Sequence, residues 1–140
     1  MQKRLWKLSE YILKNNGYTV RNEDIMNIVE CYESIGSDFN NVLKRLGSES
    51  LVKHFALKFL NDDSFYQLKL AYESKDTEKA FHAVHTLKGV CGNLGFDKLY
   101  KISADLTEKL RNGSIDGTEA LFEEIQEQYN IIVQAIQSVE

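Results

Sequence analysis

His85, Lys88, Gly89 and Gly92 stand together in the run His85-Thr86-Leu87-Lys88-Gly89-Val90-Cys91-Gly92. Each glycine in a helix interior costs roughly 1 kcal/mol relative to alanine, so two in one helical stretch need a reason. At about 100° per residue, His85, Gly89 and Gly92 share one narrow sector and Lys88 lies on its rim. Phe81, Val84, Leu87, Cys91 and Leu94 recur at helical spacing on the other side, which is therefore the expected buried face. An imidazole is then presented on a face cleared of side chains, with an ammonium one turn away. At neutral pH an exposed histidine is largely an unprotonated nucleophile. A phosphoryl group accepted on its ring would find Lys88 within reach of its oxygens. Phosphoryl transfer is mostly positioning and charge neutralisation, so a carrier needs few residues of its own. The glycines leave room for the backbone of a donor.

The surrounding chain must hold that helix. Its 140 residues carry 43% apolar and 27% charged residues and no proline, which fits one globular domain of uninterrupted helices. No strand-like alternation is sustained. Helices are expected from about Asn22 or Glu23 to Ser34, over residues 38–46 between Asp38 as N-cap and Gly47, and from Ser48 or Ser50 through Leu51, Val52, Phe55 and Phe59. Asn61-Asp62-Asp63-Ser64 kinks or breaks the last of these before Phe65, Leu68 and Tyr72. Asp76 caps the helix that bears His85, which ends at Gly95. A further helix runs from about Asp97 to Asn112, and another starts near Asp116, where Asp116-x-x-Glu119 has the form of a capping box. Short loops make successive helices antiparallel neighbours. The expected fold is all-α: an up-down-up-down antiparallel four-helix bundle with short N-terminal helices packed across one end.

Residues 1–21 hold Lys3, Arg4, Lys7, Lys14 and Arg21 against Glu10, or +4, which leaves −8 for the remainder of a chain whose net charge is −4. A basic N-terminal extension or helix over residues 1–24 ahead of a bundle over 25–140 is the expected division. The acidic balance argues against nucleic acid as a partner. No apolar run is long enough to span a bilayer, and Lys7, Ser9 and Glu10 interrupt the N-terminus, so a cytoplasmic protein without membrane attachment is expected. Cys31 and Cys91 have no CxxC partners and read as buried free thiols. A metal-binding bundle would need recurring Glu-x-x-His pairs. Glu78 precedes His82 by four and no pair recurs, so no metal site is expected.

Ala83-Val84-His85-Thr86-Leu87-Lys88-Gly89, continuing to Gly92-Asn93-Leu94-Gly95, resembles the signature of the histidine-containing phosphotransfer (HPt) domains of bacterial two-component phosphorelays. The resemblance covers residues 26–138. It implies that His85 is phosphorylated, that Lys88 lies near the phosphate and that Gly89 admits the receiver domain. The family commonly supports its histidine with Gln or Glu from the following helix. Thr107 stands at that place here, with Glu108 beside it. His82, Gly92, Asn93 and Thr107 complete the expected partner-facing set.

The implied function is that of a phosphocarrier, not an enzyme. It takes a phosphoryl group from a receiver aspartate and passes it to another, without ATP binding or autokinase activity. Response-regulator receiver domains are the implied partners, with a hybrid histidine kinase as a further candidate. No cofactor is expected on this chain, Mg²⁺ belonging to the receiver, and a monomer is expected. The alternative is a helical interaction module that signals by binding alone.

Overall fold

The computed structural model describes residues 25–140. The expected basic extension over residues 1–24 therefore lies outside the described residues. Seven helices follow one another there: α1 (Ile28–Ser34), α2 (Phe39–Leu46), α3 (Glu49–Phe59), α4 (Ser64–Glu73), α5 (Thr77–Leu94), α6 (Asp97–Arg111) and α7 (Glu119–Gln137). No described residue belongs to a strand, apart from one isolated backbone bridge between Met26 and Val139. The described residues are all-helical.

Local chemistry sets most of the boundaries. Asn27, Asp38, Ser48 and Asp76 each take an extended conformation and accept a hydrogen bond from the N–H three residues on. Asn27 and Glu30 form a full capping box, so α1 starts several residues later than the apolar pattern suggests. Met26 is drawn away from helical pairing: its N–H donates to the Ser138 carbonyl at 2.8 Å and its carbonyl accepts from Glu140 N–H. The Asn61–Ser64 stretch breaks the chain into α3 and α4, with the Asp62 carboxylate accepting the Ser64 N–H. The capping box expected at Asp116 does not form. Gly117, at φ +86°, turns the chain after it, and α7 begins at Glu119 behind Thr118. The Thr118 hydroxyl instead donates to the Ile115 carbonyl and pairs with Tyr72 at 2.6 Å.

Helix α5 packs along α4 on one side and α6 on the other, and α6 packs along α7. Phe59, Leu68, Val84, Leu87, Phe96, Leu99, Leu106, Ile125 and Ile136 are fully buried between them. Helices α4 and α7 meet through aromatic rings: Phe65 stacks on Tyr129 with centroids 4.2 Å apart, and Tyr72 stacks on Phe122 at 4.3 Å. On α3, Val52, Ala56 and Phe59 form the buried stripe, while Leu51 and Phe55 of the expected apolar repeat face solvent.

The far end of α5 is fastened by the short helices. Leu94 is its last residue, so the Leu94 carbonyl has no partner within the helix. The buried Tyr32 hydroxyl of α1 donates to it at 2.6 Å. Gly95 follows with φ +71°, a left-handed conformation that favours glycine, and a side chain there would press on Val42 of α2 at 3.3 Å. Removing the Tyr32 hydroxyl as Tyr32→Phe should cost about 1–3 kcal/mol in urea unfolding, because a buried acceptor loses its donor. A cost near zero would mean that the hydroxyl does not seal this helix end.

Both cysteines are free and fully buried. Burial pushes the Cys31 thiol up to about 12 and raises Cys91 as well. A thiol-disulfide reagent at pH 8 should therefore leave both unmodified in the folded protein and titrate both in denaturant. Rapid labelling of the native chain would contradict that burial.

Candidate functional site

Helix α5 carries the candidate residues on two opposed faces. Ala80, Ala83, Val84, Leu87, Cys91 and Leu94 are buried. His82, His85, Gly89 and Asn93 are exposed, with Lys88 and Gly92 half-buried between. The face of His85 is exposed. An open cleft of about 440 Å³ runs beside it between α4 and α5, reached by His82 and Thr86, and His85 does not line it. Small-molecule sites are concave, so this geometry suits an imidazole that a macromolecule approaches. Among the described residues no three His, Cys, Asp or Glu side chains converge as a metal site requires.

The two glycines beside His85 differ in what surrounds them. A Cβ built on Gly89 would meet nothing within 4 Å. No packing among the described residues therefore accounts for a glycine at that place. A Cβ on Gly92 would come within 3.2 and 3.3 Å of the Tyr100 ring of α6. Gly92 thus lets α6 pack close to α5, and its backbone is engaged besides, since the Arg45 guanidinium donates to the Gly92 carbonyl. The same Nη1 reaches the Asn93 carbonyl at 3.1 Å, which leaves the exposed Asn93 side chain free of that contact.

The model of the Hpt domain matches residues 61–137, more than half of the chain. The chain belongs to the Hpt domain family. Histidine phosphotransfer in phosphorelay signalling is the work of such domains, which carry phosphoryl groups and are not kinases. The match spans α4 to α7 and begins later than the resemblance read from the sequence, so α1 to α3 lie outside it. No curated protein and no solved structure matches the chain.

Within this Hpt domain, Thr107 is not where a partner can touch it. It is fully buried, and its hydroxyl donates to the Ser103 carbonyl of its own helix at 2.7 Å. That corrects its expected place on the partner-facing surface: a threonine one turn from an inward-facing carbonyl satisfies itself locally. Glu108, its neighbour, turns outward to Arg111 and not to His85. His82 is exposed and lies 3.9 Å from the Glu78 carboxylate on the same face, a solvent-screened contact of little energy. His54 lies on α3 against the ring of its neighbour Phe55.

Sequence reasoning placed Phe81 on the buried face, and the structure moves it to the rim. Its ring is half-buried and stacks on His85, with the Arg111 guanidinium of α6 over it. Rim and core residues share the same helical period, so no sequence signal separates them.

The contrast between the glycines has a direct test. Gly89→Ala should raise stability by about 0.5–1 kcal/mol, since the methyl enters open space on a helix. Gly92→Ala should gain clearly less or lose, because the Tyr100 ring must give way. Equal gains in thermal or urea melts would remove the distinction.

Proposed function

We propose that His85 is the phosphoryl acceptor of this Hpt domain, relaying phosphate between response-regulator receiver domains. The observation that carries this reading is the exposed surface at His85, where no described residue accounts for the open Gly89. A nitrogen lone pair of the neutral imidazole attacks the phosphorus of a receiver aspartyl phosphate in line. The N–P bond forms as the P–O bond to the aspartate breaks, and the carboxylate leaves with the electron pair. Lys88, half-buried one turn on, offsets the charge of the phosphoryl oxygens. Gly89 admits the receiver backbone, and the exposed His82 and Asn93 lie on the same approach. Delivery to a second receiver, or back to the first, reverses the step. A hybrid histidine kinase is a further candidate partner.

The reading makes the chain a carrier without ATP binding or autokinase activity, monomeric and cytoplasmic, with no cofactor of its own and Mg²⁺ held by the receiver. Its architecture is read as an up-down-up-down bundle of α4 to α7. Two contacts support this by gathering one end: Tyr72 at the close of α4 with Thr118 before α7, and Thr77 at the start of α5 with the N–H of Ile115 after α6. At the other end Tyr32 meets Leu94, and Met26 pairs with the chain after α7, so α1 to α3 lie across that end. No helix among the described residues is long and apolar enough to cross a membrane.

Intact-mass measurement after exposure to a phosphorylated receiver, with phosphoramidate as a partner-independent donor, tests the assignment. Wild type and His82→Gln should gain one acid-labile phosphoryl group, and His85→Gln should gain none while keeping its helical circular dichroism. Lys88→Ala should slow transfer about fivefold, from the roughly 1 kcal/mol that one partly screened charge contact supplies. An adduct that survives in His85→Gln would move the site. No adduct from either donor would favour the module that signals by binding alone.

A further inference from the structure

Nothing among the described residues hydrogen-bonds the His85 ring, and an exposed imidazole on a helix would otherwise sample several rotamers. Thr107, which stands where the family has its supporting Gln or Glu, has its hydroxyl committed to Ser103. What does touch the ring is Phe81, one turn earlier on α5. The two ring planes are parallel to within 2° with centroids 5.9 Å apart, an offset stack. Residues four apart on a helix are surface neighbours, so the contact needs no distortion of the backbone. Phe81 is itself held: the Arg111 guanidinium carbon lies 5.2 Å from its ring centroid, within cation–π range. Arg111 is steadied in turn by Glu108, Nε to Oε2 at 3.4 Å and Nη2 to Oε1 at 3.2 Å. A line of contacts, Glu108–Arg111–Phe81–His85, therefore crosses from α6 to the imidazole. The core on this side is made by Ala80, Val84 and Leu87, and the half-buried Phe81 packs against its edge while its ring faces His85.

We propose that Phe81, braced by Arg111, is a positioning residue that sets the plane of the His85 imidazole for in-line phosphoryl transfer from a docked receiver. The proposal rests on the reading of His85 as the phosphoryl acceptor. In the transfer step the imidazole lone pair must point along the P–O bond that breaks. A docked receiver fixes the direction of that bond, so the ring has to be oriented to match. A small donor in solution can approach the ring from any direction and makes no such demand. Loss of the stack therefore slows transfer from a receiver by about three- to tenfold, the cost of immobilising one side chain at the encounter, and leaves the reaction with phosphoramidate nearly unchanged.

The variants are Phe81→Leu, which keeps an apolar side chain and removes the ring face, Phe81→Tyr, which restores the ring, and Arg111→Gln, which removes only the brace. Three readouts are taken on each full-length chain: thermal melting, the NMR shifts of the His85 ring protons, and phosphorylation rates with a phosphorylated receiver and with phosphoramidate. In Phe81→Leu the His85 ring protons should lose the ring-current shift and the receiver rate should fall, with the phosphoramidate rate held. Phe81→Tyr should restore both, and Arg111→Gln should give a smaller loss of the same kind without disturbing the fold. Unchanged His85 shifts in Phe81→Leu, or equal slowing with both donors, would overturn the positioning role. If Phe81→Leu fails to fold, Arg111→Gln decides, and an unaltered receiver rate there overturns the proposal. Wild type that accepts no phosphoryl group from either donor sinks the carrier reading itself, whereas phosphorylated wild type with normal Phe81→Leu kinetics sinks only the role of Phe81.

Discussion

Helix α5 must bury one face to hold its neighbours and leave the other bare, and its seam with α6 is where both demands are met. Contacts fix the register of that seam at three levels: Thr77 with Ile115, Phe81 with Arg111, and Gly92 with Tyr100. Stepping one turn at a time between these levels brings His85 level with Thr107 and Gly89 level with Ser103. Ser103 and Thr107 are both fully buried. Small side chains there let α6 lie against α5 without rising past it, which keeps the ground around His85 and Gly89 low. The arrangement has a cost, because the Ser103 hydroxyl has no hydrogen-bond partner among the described residues.

The seam would be less well defined if α5 could fray from its far end. Helix ends open at low free energy unless their last carbonyls are satisfied. Tyr32, Gly95 and Arg45 close this one: a buried hydroxyl on Leu94, a left-handed turn, and a guanidinium on the Gly92 and Asn93 carbonyls. Tyr32 and Arg45 come from α1 and α2, outside the stretch that the Hpt model matches. The short helices therefore act on the site through the rigidity of α5, about two turns from His85, rather than by touching it.

Much of this was legible in the residues because helical period and capping chemistry are local. Asp38 and Asp76 as N-caps, Gly47 and Gly95 as stops, and the burial of Val84, Leu87, Cys91 and Leu94 all follow from spacings within one helix, while the start at Ser48 rather than Ser50 does not. The misreadings of the glycines and of Phe81 have the opposite property, whereas those of Thr107 and Asp116 turn on local detail that spacing alone does not carry. Gly89 and Gly92 are identical in the sequence, and only Tyr100, brought up by the following helix, tells them apart. Thr107 was placed at the right level, but which way its hydroxyl turns depends on a carbonyl of its own helix. Asp116 and Glu119 have the spacing of a capping box, yet Gly117 turns the chain between them and the pattern stays formal. Phe81 has the period of the core, and its role depends on a guanidinium thirty positions later.

A site so sparse suits a residue that has to give up what it receives. Interactions that hold the phosphorylated state as tightly as the transition state deepen the intermediate without speeding its discharge. A ring of cations around His85 would do that, and the surface here offers Lys88 on the rim, half-buried, with Arg111 already engaged by Glu108 and Phe81. One mobile ammonium can follow the phosphoryl oxygens and release them. On the proposed reading the rest of the charge neutralisation falls to the receiver. On that proposed division of labour the carrier has only to present one nitrogen on open ground, and the buried face of α5, the open Gly89 and the stacked Phe81 fit that task.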